Sequence, residues 1–470
     1  MHKLSILIFF MVIAILYGCN SDSKSGQHTK GNSLAKDTLT EKISGAKTNY
    51  NIYIENSASM DGYVKQPSDF KNGLYKLIGD IHNYNLSQKL RLNFINDTIC
   101  PQKVNAPTPD IIYFIENLKP TDFKNSGCEV KNSFLPNIIS KAVSANPMDV
   151  NILISDCIFS SQKGSSKDFL SAAKESMRTF IKTELDRNDI SCVILKLSSQ
   201  FYGTYFIENK SATKKTEVLT GQKRPYYIIL FGNSSSINYL LQKIKFSTYP
   251  GFETSYYLLT PNANKPNSKI IRTNKIGDFE IEQPATKLTI NDANAGGKNS
   301  NENQFQFSVA SNLEFLKMDE TYLSNSANYE VPSNYSLISI SKNDDYTNES
   351  LKGFTHVFTV RTSDLKQNQE VFIKLKSKLP PWVDSSSTED DSNPLDPVQQ
   401  KQTFGFKYLI EGISEAYADK YEGKEQFGIN IKVSSNNYDK HGSSSKFPWL
   451  LLLLIGCIIG VLLFFKNKKS

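Results

Sequence analysis

Glu55, Ser57 and Ser59 alternate along the string Glu55-Asn56-Ser57-Ala58-Ser59-Met60, directly after the strand-like run Tyr50-Asn51-Ile52-Tyr53-Ile54. A carboxylate and two hydroxyls at alternate positions, just past a strand's C-terminal end, can point at one small volume. That oxygen-only set suits a hard cation, Mg²⁺ or Mn²⁺, which prefers carboxylate, hydroxyl and water ligands. The same residues have a plainer use, in which Glu55 and the serines cap the following helix and satisfy loop amides. The five histidines (His2, His28, His82, His356 and His441) are scattered, so they form no metal cluster and supply no evident general base.

The elements that must position these groups alternate between strand and helix from about residue 50 to 244, the pattern of a doubly wound, Rossmann-like α/β domain. Phe70, Leu74, Leu77, Ile78 and Ile81 recur at helical spacing despite Gly73 and Gly79. Residues 109–118, 134–143, 168–186 and 235–244 read as further helices, and 89–95, 192–197 and 226–231 as strands. Val150-Asn151-Ile152-Leu153-Ile154 is a buried strand ending at Ser155-Asp156. In open α/β sheets ligands bind beyond the carboxyl ends of the strands. Glu55, Ser57 and Ser59 lie there on the first strand's loop, and Asp156 lies there on the later one.

The acid-x-Ser-x-Ser-Met string resembles the metal-ion-dependent adhesion site of von Willebrand factor A domains, and the resemblance covers about residues 50–244. It implies that Asp156, after its apolar strand, supplies a second acid to the ion, usually through water. It also implies a hydroxyl at the start of an intervening helix, the place held by Ser133 before Phe134-Leu135-Pro136-Asn137-Ile138-Ile139. In that family the protein leaves one coordination position for a carboxylate from a partner protein, so the ion is the adhesive contact. The family places Asp where this chain has Glu55. The extra methylene moves the carboxylate by about a bond length, and Mg²⁺ tolerates distorted octahedra poorly. The departure points to weaker binding, a larger ion or an empty site.

The remaining chain divides by composition. From 246 to 435, alternating segments such as Phe305-Gln306-Phe307-Ser308-Val309 and Val371-Phe372-Ile373-Lys374-Leu375, separated by Asn/Gly/Ser-rich turns, predict an antiparallel, sandwich-like β domain. A helix over 404–417 interrupts it. The 384–396 loop carries five acids (Asp384, Glu389, Asp390, Asp391 and Asp396), has no EF-hand spacing and reads as a solvated loop.

Residues 1–19 read as a lipoprotein-type signal: a basic start, an apolar core too short to span, and Leu16-Tyr17-Gly18-Cys19, which resembles a bacterial lipobox with Cys19 as the lipidated residue. An uncleaved signal anchor is the alternative. Residues 20–49 are a polar tether and 436–446 a linker. Residues 447–465 are uncharged and, at roughly 1.5 Å rise per residue, just long enough to span a bilayer core. The basic tail 466–470 places the cytoplasm after that span. The expected location is therefore the cytoplasmic membrane of a bacterium, with the ectodomain outside the cytoplasm.

Export permits disulfides. Of the six cysteines, Cys100 and Cys128 lie in loop-like sequence and could pair, whereas Cys157 follows an apolar strand, Cys192 sits inside one, and both read as buried thiols. The formal net charge is +7, but no basic block interleaved with aromatics appears, which argues against a nucleic-acid partner. The expected function is a membrane-anchored, extracytoplasmic protein-binding module, not an enzyme, with an envelope protein as partner and Mg²⁺ or Mn²⁺ at its site. One alternative is a metal-independent structural component of an envelope complex. The other is a metal-dependent ester hydrolase using Ser57 or Ser59 as nucleophile, which the scattered histidines disfavour.

Overall fold

The computed structural model describes residues 48–435 except 105–107, 128–133, 161–165, 261–266, 283–286, 298–300, 317, 319, 345–346, 377 and 422–426. The signal segment with Cys19, residues 20–47 of the tether, the linker, the 447–465 span and the basic tail lie outside the described residues, as do Ser133 and Cys128; Thr48 and Asn49, expected in the tether, open the first strand. Among the described residues no helix is long and apolar enough to cross a membrane.

The apolar runs of the first half gather into one sheet. Its strands are β1 (Thr48–Glu55), β2 (Ser87–Ile95), β3 (Ile99–Pro101), β4 (Val150–Ser155), β5 (Ile190–Phe206), β6 (Thr216–Asn233) and β7 (Phe252–Leu258), in the order β3-β2-β1-β4-β6-β5-β7. The helices are α1 (Asp61–Val64), α2 (Asp69–Asn83), α3 (Thr108–Asn117), α4 (Pro120–Lys124), α5 (Leu135–Ser144), α6 (Ser166–Arg187) and α7 (Ser234–Lys243). Phe70, Leu74, Leu77, Ile78 and Ile81 form the buried face of α2, as their spacing predicts. Gly73 is tolerated inside that helix because a Cβ there would come within 2.6 Å of the Tyr226 hydroxyl.

The sheet is mixed, where the alternation of elements predicts a doubly wound one. β1 runs parallel to β2 and β4, whereas β2–β3, β4–β6, β6–β5 and β5–β7 are antiparallel. The cause is local. β5 and β6 span 17 and 18 residues, and the 207–215 connection between them is too short for the crossover of a dozen or more residues that parallel neighbours need. They form a hairpin whose buried halves are the two apolar runs legible in the sequence. Its other half continues past the carboxyl end of β4.

The second region comprises β8 (Ser268–Ile276), β9 (Asp278–Ile281), β10 (Leu288–Asn294), β11 (Phe305–Ser311), the short helix α8 (Glu320–Leu323), β12 (Tyr329–Glu330), β13 (Ser336–Lys342), β14 (His356–Thr362) and β15 (Asn368–Leu375). After them come α9 (Pro381–Ser385), β16 (Ser387–Thr388), β17 (Thr403–Phe404), α10 (Phe406–Lys420) and β18 (Gly428–Ser435). Two sheets, β12-β15-β18-β10-β9 and β13-β14-β11-β8, enclose one core of residues such as Phe305, Phe307, Phe358, Val371 and Ile431. The expected purely antiparallel pairing fails at β10–β18, which is parallel because β18 arrives last and inserts between β15 and β10.

The two cores do not divide at residue 245. β7 completes the first sheet, and Val383, Phe404, Phe406, Leu409, Ile410 and Ile413 pack into the first core. The 404–417 stretch read as a helix is α10, lying along α6 with Lys174 paired to Glu415 at 2.6 Å and Arg178 to Asp419 at 2.7 Å.

Candidate functional site

The register of the central strands brings the expected residues together. Ile54 lies opposite Ile154 in the parallel β1–β4 pair, so the chain leaves both strands side by side. Glu55, Ser57 and Asp156 are buried and Ser59 is half-buried, with Ala58 exposed between the two serines. The Ser155 hydroxyl donates to Oε2 of Glu55. The added length of Glu55 is thus taken up in reaching β4. The hydroxyls of Ser57 and Ser59 lie 2.9 Å apart.

Those hydroxyls are not used as helix caps. The 3₁₀ turn Ala58–Met60 and helix α1 both begin without a side-chain cap bond. The carboxylate of Asp156 is still less satisfied. Its Oδ1 accepts from the Ile158 amide at 3.1 Å, while the buried Oδ2 has no hydrogen-bond partner among the described residues. Burial raises its pKa, against the lowering influence of the Ser59 hydroxyl, the Ile158 amide and the Arg224 guanidinium. A buried charge with an open oxygen is costly unless something fills it.

A hard divalent cation fits these atoms. Two neighbouring oxygens of an octahedron with Mg–O distances of about 2.1 Å lie about 3 Å apart, close to the serine hydroxyl separation of 2.9 Å. The open Asp156 oxygen supplies the carboxylate. Among the described residues no group of three or more His, Cys, Asp and Glu side chains is placed to hold a metal. The set is therefore mixed carboxylate and hydroxyl, without the imidazole and thiolate ligands typical of zinc. Of the expected site, Ser133 lies outside the described residues.

Close packing fixes the loop behind the site. A Cβ on Gly62 would fall 2.3–2.5 Å from the Phe201 ring, so α1 rests directly on β5. The Tyr63 hydroxyl donates to the Pro225 carbonyl at 2.5 Å, tying α1 to β6 as well. Two charged residues nearby are buried: Arg224, which no motif marks, and Asp391, which the sequence predicts to be solvated. Arg224 on β6 is 3% exposed and donates to the carbonyls of Gln399 (2.7 Å) and Gln402 (2.9 Å). Asp391 accepts from the Tyr205 hydroxyl at 3.0 Å and from the amides of Glu208 and Asn209 at 2.9 and 2.8 Å.

The acidic 384–396 loop is thus not merely solvated. Its part of the 386–405 segment forms a strap stitched across the β5–β6 hairpin, further fixed by Tyr227 to Thr403 (3.2 Å) and Phe159 to Phe404 (3.3 Å). The only signal in the sequence was a charge, Arg224, abutting the apolar run 226–231. Its partners lie 175 and 178 residues away.

Cys157, after β4, and Cys192, within β5, are free and buried, as the apolar runs predict. Cys157, beside Asp156, takes a left-handed backbone (φ 55°), and its amide donates to the Ser155 hydroxyl at 2.8 Å. Cys100 is disulfide-bonded to a partner outside the described residues. No family model, curated protein or solved structure matches the chain.

Proposed function

We propose that this chain is a membrane-anchored, extracytoplasmic protein-binding module whose α/β domain is of the von Willebrand factor A type. Asp156, Ser57, Ser59 and, through its outer sphere, Glu55 would hold Mg²⁺ or Mn²⁺, with Ser133 as a further hydroxyl. The observation that carries this reading is the buried Asp156 carboxylate, whose Oδ2 has no hydrogen-bond partner of full geometry among the described residues although the Ser59 hydroxyl lies close enough to lower its pKa. The bound ion would supply a Lewis-acidic contact for a partner's carboxylate. The half-buried Ser59 and exposed Ala58 form the approach to it. The sandwich region serves as spacer or second contact surface. The lipobox-like Cys19 and the 447–465 segment would hold the module at the outer face of the cytoplasmic membrane.

A metal-independent envelope component is the second reading. The Ser155–Glu55 hydrogen bond favours it, since the protein itself satisfies an oxygen of that carboxylate. Co-purification of the intact membrane protein with its partners, with and without chelator, separates the two. The first reading expects partners to be lost in EDTA and in Asp156→Ala. Partner recovery unchanged by both treatments supports the second.

A further inference from the structure

Arg224 is a buried cation whose two described hydrogen bonds both end on neutral carbonyls of the strap. Its guanidinium lies 4.5 Å from the Tyr205 ring centroid, and Asp391 holds that ring by its hydroxyl. Strap and hairpin together fix where the charge sits. Ser155 pairs with Tyr227 across β4 and β6, so Arg224 lies three residues further along β6, alongside the chain that leaves β4 through Asp156. Tyr63, on the helix that follows the serine loop, bonds to the carbonyl of the next residue, Pro225. Arg224 thus lies on the strand beside the chain that leaves β4, and its charge acts on the Asp156 carboxylate.

Building on the cation site proposed above, we propose that Arg224 is its internal electrostatic competitor: a fixed positive charge, held by the strap, that sets how tightly a divalent cation can bind. Arginine stays charged at every accessible pH. Repulsion between like charges in a poorly solvated interior is several times stronger than in water. A cation entering beside Asp156 would meet a carboxylate already under the influence of the guanidinium charge. With both acids ionised, Arg224 and a divalent ion leave the loaded site with net positive charge, which a partner's carboxylate would neutralise. The competitor thus weakens binding of the bare ion and favours binding of the ion together with an anionic partner.

The test is a Mn²⁺ titration of the full-length, detergent-solubilised protein, with free ion counted by electron paramagnetic resonance. Wild type is compared with Arg224→Gln, Arg224→Met and Arg224→Lys, each checked for a cooperative thermal melt. The neutral variants should bind Mn²⁺ at least about tenfold more tightly, because a like charge has been removed from a buried site. Arg224→Lys, which keeps the charge, should stay near wild type. Arg224→Met serves as the neutral variant if Arg224→Gln does not fold. Equal affinities for wild type and the neutral variants overturn this inference and leave the cation site standing. Absence of Mn²⁺ binding from all the proteins overturns both.

Discussion

Asp156 is buried with one carboxylate oxygen on a backbone amide and the other without a hydrogen-bond partner among the described residues. Burial holds its folded-state pKa above the ordinary 3.8. The stability linked to its proton is therefore fully present below that ordinary value and lost as pH rises through the folded one. In EDTA at neutral pH, Asp156→Asn should melt at a higher temperature than wild type, and the gap should close on acidification below about pH 4. Calorimetry over that range checks it. A variant that melts lower than wild type at every pH would mean that the fold already satisfies the carboxylate. Excess Mn²⁺ should raise the wild-type melting temperature and leave the variant unmoved, since a ligand stabilises only the state that binds it. Glu55, Ser57, Ser59 and Asp156 were legible because each ends or follows an apolar run. The burial of Arg224 and of Asp391, an acid of the loop expected to be solvated, was not, because nothing local marks a charge whose partners lie 175 to 186 residues away.

At the scale of elements, the β5–β6 hairpin and the strap define what surrounds the site. The apolar runs at 192–197 and 226–231 were readable as core strands, but their direction was not, since buried parallel and antiparallel strands share one apolar signature. The short 207–215 connection held the information. The strap was hidden for a different reason: its acids look solvated until Tyr205, Glu208 and Asn209 are seen to donate to Asp391. Asp391→Ala would strip the acceptor from all three donors, two of them backbone amides. It should lower unfolding free energy by about 3 kcal/mol, as expected for a broken buried network. Hydrogen exchange should rise at 207–209 and along 386–405, with β1 and β4 unchanged. Unaltered exchange at the strap would contradict its role as a fastened segment.

At the scale of the molecule, the chain crosses between its two cores more than once. It leaves the first sheet after β7, builds most of the sandwich, returns as α9, β16, β17 and α10 to the first core, and ends its described course as β18 in the second. Composition distinguished an α/β half from a β-rich half. It could not show that the 381–420 segment packs with the earlier half, because helix α10 carries the same amphipathic pattern against either core. The site's strands β1 and β4 belong to the core that this return completes, so the ion is expected to bind the intact chain. The most direct measurement is a Mn²⁺ titration of the full-length protein beside Asp156→Ala. The expected result is one Mn²⁺ per wild-type chain and none at that site in the variant. Absence of binding to wild type, or equal binding to both proteins, would contradict it.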